Sequence, residues 1–276
     1  KLGILTLNSS GNNILDNTNN LKSRIINDIS FSFNDKIFEN VGLKNNLNFY
    51  FKNLNSIGKN VDTYKSSPQI ELQSLIELNS ELPMYKTTQN DYLTLIPRLS
   101  FRVNPSDMKN HSDLERKINT DNIFNINRIG VSYSLEAGNS LTIGIDFKNQ
   151  NIKNNDEFFE IKLASVFRDE EENNIPSQTT LNNKNSNLFG SVQYNTNKFI
   201  NVDYNFAVDN KLDNFKYNSI GLGLSVNNFI TKFNFIEEDS DLGNTNVFEN
   251  NSKYQFDQNN SIIFKTRRNR ELNLTE

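Results

Sequence analysis

Leu141-Thr142-Ile143-Gly144-Ile145-Asp146-Phe147-Lys148 puts an apolar side chain at every odd position and a small, polar or charged one at every even position. Successive strand side chains point to opposite faces, so this stretch has one apolar face and one polar face. The alternation recurs in both directions. Downstream, Phe159, Ile161, Leu163 and Phe167 oppose Glu160 and Lys162. Ile200, Val202, Tyr204, Phe206 and Val208 oppose Asn201, Asp203 and Asn205, and Ile220, Leu222, Leu224 and Val226 oppose Ser219, Gly221, Gly223 and Ser225. Upstream, Leu93, Leu95, Leu99, Phe101 and Val103 oppose Thr94, Arg98, Ser100 and Arg102. Ile70, Leu72, Ile76 and Leu78 share a face, as do Leu47, Phe49 and Phe51. Ile25, Ile29, Phe31 and Phe33 alternate with Arg24, Asp28, Ser30 and Ser32. Further strands are predicted at residues 2–7, 247–256 and 262–268, and where Val131, Tyr133 and Leu135 oppose Ser132, Ser134 and Glu136. The count is about fourteen strands. The one helical signal is a single turn at residues 113–118 within a long loop.

The connections carry a second pattern. From Phe158 onward they alternate: residues 168–187 long, 195–198 short, 209–213 intermediate, 227–228 tight, 237–245 longer and 257–260 short. Outer-membrane barrels have short periplasmic turns and longer extracellular loops, so their hairpin ends alternate in this way. Pro97 lies inside a strong strand pattern and lacks the N–H of a central ladder, which predicts a strand end or bulge nearby. The fold class predicted is all-β: an antiparallel transmembrane barrel wall of about fourteen strands, with no domain boundary in residues 1–276.

Composition agrees. Of 276 residues only 35% are apolar, below the roughly 45–50% of ordinary globular domains, yet there are 21 Phe and 9 Tyr. A barrel with a polar lumen fits that balance, and so does an elongated surface protein. A net charge of -4 gives no argument for nucleic acid as a partner. Zero Cys excludes disulfides and thiolate metal sites within these residues. No apolar run approaches the ~18–20 residues of a membrane helix. The abundant Asn reads as compositional bias.

No enzyme chemistry emerges and no cofactor is called for. The single His111 lies beside Ser106, Asp107 and Asp113 in a polar loop, and reads as a solvated loop residue. The acidic run Asp169-Glu170-Glu171-Glu172 reads as a solvated loop, with a divalent cation as the sharper alternative. The basic run Lys265-Thr266-Arg267-Arg268-Asn269-Arg270 divides between two strand faces. Gly221-Leu222-Gly223 lies within a strand, where small residues on the polar face leave lumen space.

A family comes into view between Leu93 and Lys148. Pro97-Arg98-Leu99-Ser100-Phe101-Arg102-Val103-Asn104-Pro105 resembles the "P-x-(aliphatic)-S-(aromatic or aliphatic)-R-x-x-P" stretch of the LptD family of lipopolysaccharide-assembly proteins. Asp121-Asn122-Ile123-Phe124-Asn125-Ile126-Asn127-Arg128 is similar to its "D-x-x-x-F-x-x-(N/D)-R" segment, and residues 136–144 resemble its "(V)-E-x-G-x-x-x-x-x-G" turn and strand. The three pieces keep the family's order and spacing.

The resemblance implies a barrel of about 26 strands in the cell outer membrane of a Gram-negative bacterium. It would move lipopolysaccharide (LPS) from the periplasm into the outer leaflet. The implied partners are LPS, outer-membrane lipid, an LptE-like lipoprotein plug and a periplasmic Lpt bridge reached through an N-terminal jellyroll. No jellyroll precedes Leu2, and the end at Thr275-Glu276 lacks an aromatic closing strand; both predict an internal fragment. Arg98, Arg102, Glu136, Asp146, Glu160, Lys162 and Asp203 are the candidate lumen residues. Arg98 and Arg102 are read as members of lumen salt bridges, with lipid phosphates as the alternative partners. A passive porin-like channel and a non-membrane surface adhesin share the periodicity but not the motif order.

Overall fold

The alternating stretches become neighbours in one antiparallel meander. A computed structural model describes residues 2–196, 199–240 and 243–275. The strands are β1 (Gly3–Asp16), β2 (Asn20–Phe33), β3 (Lys36–Phe38), β4 (Leu43–Lys59), β5 (Gln69–Glu81), β6 (Met84–Thr87), β7 (Asp91–Asn104) and β8 (Gly138–Asn151). After them come β9 (Phe158–Arg168), β10 (Leu188–Thr196), β11 (Ile200–Val208), β12 (Phe215–Val226), β13 (Phe229–Ser240), β14 (Gly243–Gln255), β15 (Ser261–Asn269) and β16 (Leu274–Thr275). The sheet has 16 strands and is open, with β1 and β16 at its edges. Each strand pairs with the next, except that β3 and β6 are short side pairings on β4 and β7.

Residues paired across a ladder share a face, so the register carries each face through the whole sheet. Leu95, Phe147, Ile161, Val192, Tyr204, Ile220, Phe235 and Phe248 form one unbroken apolar row from β7 to β14. On the opposite face Ser32, Asn48, Glu77, Arg102, Ser140 and Arg168 form a polar row from β2 to β9. The apolar side stays bare. Phe51, Ile76, Phe101, Ile143 and Ile220 are each at least 40% exposed. Polar interruptions on this side are tied together. Ser9 donates to Asn27, and Asn27 and Asn55 both donate to Asn53, at 2.7, 3.1 and 2.5 Å. Thr231, Asn250 and Ser252 close a second such cluster on β13 and β14.

Pro97 sits where its missing N–H is harmless. The β7–β8 ladder runs past it without a shift, Pro97 opposite Ile145. On the other side β5 pairs only as far as Arg98, and β6 takes over at Leu95. The Pro97 carbonyl accepts from Leu82 N at 3.1 Å, so its nitrogen also faces this change of partner.

Several expectations need correction. Residues 131–136 do not form a strand, and no helical turn forms at 113–118; the helical element among the described residues is a 3₁₀ turn at Ser177–Thr179. The first strand extends far beyond residue 7. The stretch 237–245 is largely strand, since β13 reaches Ser240 and β14 begins at Gly243; residues 241–242 lie outside the described residues, as do residues 197–198 of the short connection. Asn is not only bias. Asn17, Asn60, Asn227 and Asn273 hold positive φ at turns, where Asn is better tolerated than other L-residues.

Residues 105–137 leave the end of β7, fold back over the polar face and return into β8. Pro105 ends the β7 ladder, and Gly130 and Gly138 both take φ of 77°. The core lies beneath this segment. Ile118, Ile123, Ile129 and Val131 pack with Ile175 and Leu181 of residues 169–187 onto Ala164, Val166, Phe189 and Ala207 of β9, β10 and β11. Each fully buried aliphatic side chain contributes roughly 1.5–3 kcal/mol. The segment is therefore docked by its own apolar residues. Ile123→Ala, at a fully buried position, is expected to cost about 2–5 kcal/mol. Faster amide exchange across residues 115–137, with the strands unchanged, is the measurement that checks it.

Candidate functional site: an interior loop clamped to the polar face

Burial at residues 131–136 does not follow the alternation: Ser132 is exposed and Tyr133 half-buried, while residues 134–136 are buried in succession. Val131 and Ala137 join the core, while Ser134, Leu135 and Glu136 are buried against the sheet. Glu136 is the centre. Arg128 grips it with both prongs, Nε to Oε2 and Nη2 to Oε1, each at 2.6 Å. Arg128 also donates to Thr142 and Ser140 on β8 at 2.7 and 3.0 Å. Arg168 of β9 donates to Glu136 Oε1 at 2.6 Å and to the Ala137 carbonyl. Arg102 of β7 pairs with Glu77 of β5 at 2.8 Å and reaches the Phe124 carbonyl at 2.9 Å, with its Nη1 3.9 Å from Glu136. Asn48 and Asn79 hold the other Glu77 oxygen at 3.2 and 2.9 Å. Three guanidinium groups share two carboxylates, and all five side chains are at most 4% exposed.

Further ties spread across the sheet. Lys52 of β4 joins Asp28 of β2 to the Ser132 carbonyl. Gln73 of β5 accepts from Leu135 N at 2.7 Å, and Thr120 bonds Ser191 of β10 at 2.8 Å. Lys117 pairs with Glu238 of β13 and lies over the Tyr217 ring. Residues 105–137 thus span the polar face from β2 to β13.

Burial raises the Glu136 carboxyl, but Arg128, then Arg168 and Arg102, more than reverse this and hold it at about 2, against the usual 4.5. A depressed carboxyl stabilises the folded state above its unfolded value and loses that contribution as pH falls through its folded value. The clamp is therefore intact above pH 4.5 and fails as pH drops toward 2. The chain has no Cys, so Glu115→Cys provides one spin-label position on the exposed part of the loop. Its spectrum is expected to be constant from pH 8 to 5 and to sharpen between pH 4.5 and 2.

The seven lumen candidates separate into three places. Arg98 bridges Glu81 and Asp146 at 3.2 and 3.5 Å with its guanidinium 4.3 Å from the Phe124 ring. Glu160 pairs with Lys162 at 3.2 Å, and Lys162 reaches Asp121 at 3.4 Å. Arg102 and Glu136 belong to the buried cluster. Asp203 stands apart and faces a cavity of about 650 Å³ between the two loops and β10–β13. Arg102 is 1% exposed and already paired, so no lipid phosphate reaches it without opening the cluster. Arg168 and Glu77 were missed by sequence reasoning. Their signal was present: each continues the polar alternation of its strand.

His111 is buried, not solvated. Its ring meets Tyr133 edge-on at 5.6 Å, its backbone N–H donates to the Asn174 carbonyl, and its Nε2 has no partner among the described residues. Burial, then Lys109, lowers its pKa, against a weaker pull from Glu71. In the acidic run Asp169 accepts from Asn139 at 2.7 Å, and no described group of His, Cys, Asp and Glu is arranged to hold a metal. In the basic run Arg267 pairs with Glu249 at 3.1 Å on the polar face, while Arg268 points to the other. Gly221 is bare because the Asp203 carboxylate lies across it.

Fold and site together define a two-faced antiparallel sheet whose polar face is covered by its own loops. No family model matches the chain, and no curated protein matches its sequence.

Proposed function

We propose that this chain is part of the wall of an outer-membrane β-barrel that carries LPS from the periplasm and inserts it into the outer leaflet, as its resemblance to the LptD family implies. The observation that supports the membrane half of this reading is the pair of unlike faces. A bare apolar face running from β1 to β15 is far larger than the patches soluble monomers expose. Lipid removes such a face from water without a second protein layer, while the polar face lines a hydrated lumen. The in-folded loops narrow that lumen and keep it closed to free diffusion. LPS has the same two-sided character as the wall, with acyl chains for the apolar side and saccharide for the hydrated side. A plug lipoprotein and a periplasmic bridge are the protein partners of this reading.

Depletion of the full-length protein in its own cells tests it. The expected result is loss of newly made LPS from the cell surface. Unchanged surface LPS overturns the assembly role and leaves a passive channel. Solubility of the full-length protein without detergent overturns both membrane readings.

A further inference from the structure

The cavity that Asp203 faces differs in chemistry from the rest of the polar face. Gln193 of β10 and Asn201, Asp203 and Asn205 of β11 turn into it, and none of their side chains is hydrogen-bonded to protein among the described residues. They form a compact array, since Gln193 is directly opposite Asp203 and the others flank them on the same face. Tyr217 adds an aromatic ring to the wall. In the clamp on this face Arg102, Arg128, Arg168, Glu77 and Glu136 are paired, and here donors and acceptors stand open.

The geometry points to a binding pocket for an uncharged, hydroxyl-rich saccharide unit. The inference rests on the reading of the polar face as a hydrated lumen, and names which part of an amphiphile is held there. Amides offer a donor and an acceptor side by side, and a carboxylate accepts from two hydroxyls, so vicinal hydroxyl groups satisfy this array. Tyr217 packs against the loop core with Lys117 over its ring, so it gives the wall an apolar patch beside the polar array. Phosphate is disfavoured. Asp121, Asp203, Glu238 and Asp239 outnumber Lys117 and Lys216 in the lining, and both lysines already pair with acids. A volume of about 650 Å³ suits a short oligosaccharide.

The test is calorimetric titration of the full-length protein in detergent. One probe is a neutral, phosphate-free oligosaccharide of hexoses, and the other is inorganic phosphate. Saccharide binding at millimolar concentration or tighter is expected, with no response to phosphate. The double substitution Gln193→Leu with Asn205→Leu is expected to weaken saccharide binding at least tenfold, and Asn12→Leu, on the same face of β1, to leave it unchanged. Gly221→Ala serves as a one-carbon second variant, because the added Cβ displaces the Asp203 carboxylate; a several-fold loss is expected. Heat-modifiable gel migration verifies that each variant folds. Absence of saccharide binding, binding that ignores all three pocket substitutions, or preferential phosphate binding overturns the assignment. Loss of surface LPS on depletion, with no saccharide binding, removes the pocket and leaves the transport role standing.

Discussion

Ile143→Arg is expected to abolish stable membrane assembly of the protein. Ile143 lies near the middle of β8 on the apolar face, opposite Leu99 of β7 and Ser165 of β9, and is 46% exposed. No charged residue stands beside it on those strands to receive a guanidinium. In a lipid-facing band an Arg at mid-depth costs about 2–4 kcal/mol, a large share of the 5–15 kcal/mol that holds a typical native fold together. Asn234→Arg is the matched control. It adds the same charge on the other face of β13, where Asn234 is exposed beside Lys232 and Glu249, and is expected to be silent. Heat-modifiable gel migration and recovery from outer-membrane fractions are the readouts. Equal tolerance of the two substitutions would mean that water, not lipid, bathes the Ile143 face.

The alternation that begins at Leu141 was legible because strand geometry is local. A period of two needs only neighbouring residues, and it located β2, β4, β5, β7, β8, β9, β11 and β12. The same signal misled at residues 131–136. There the chain is docked on the polar face as a loop, with Ser134, Leu135 and Glu136 buried in succession, and no ladder forms. The clamp was legible only in pieces. Arg102 and Glu136 stood out as charged residues within alternating patterns, but their partners lie far off in sequence. Glu77 meets Arg102, and Arg168 reaches Glu136, through the register of separate hairpins. Register follows from every turn between them, and one slipped residue would turn each of these charges to the apolar face. His111 was misread for a related reason. A polar local sequence says nothing about a second loop, residues 169–187, arriving to bury it.

Removing the central carboxylate, by Glu136→Gln, is expected to release residues 105–137 from the polar face. Glu136 accepts from Arg128 and Arg168 through bonds of 2.6 Å, and Arg102 stands 3.9 Å away. The glutamine keeps the shape and removes the charge, leaving three buried guanidinium groups with Glu77 alone. Breaking a buried ion pair from one side costs about 3–5 kcal/mol, because the remaining charge stays desolvated. That matches the upper range for truncating one aliphatic side chain in the loop core, and the loop has no ladder of its own, so it is expected to leave before the strands do. Amide exchange should rise across residues 115–137, and the full-length protein should conduct more in planar bilayers. A compensating pair separates charge imbalance from lost contacts. Arg128→Met with Glu136→Leu removes one positive and one negative group together, and buried pairs replaced by apolar side chains are often neutral or stabilising. This double variant is expected to hold the loop better than Glu136→Gln, with a coupling of at least 1 kcal/mol in a double-mutant cycle. Additive single effects would instead make Glu136 one contact among many, and the core of Ile118, Ile123, Ile175 and Leu181 the main force that keeps the polar face covered.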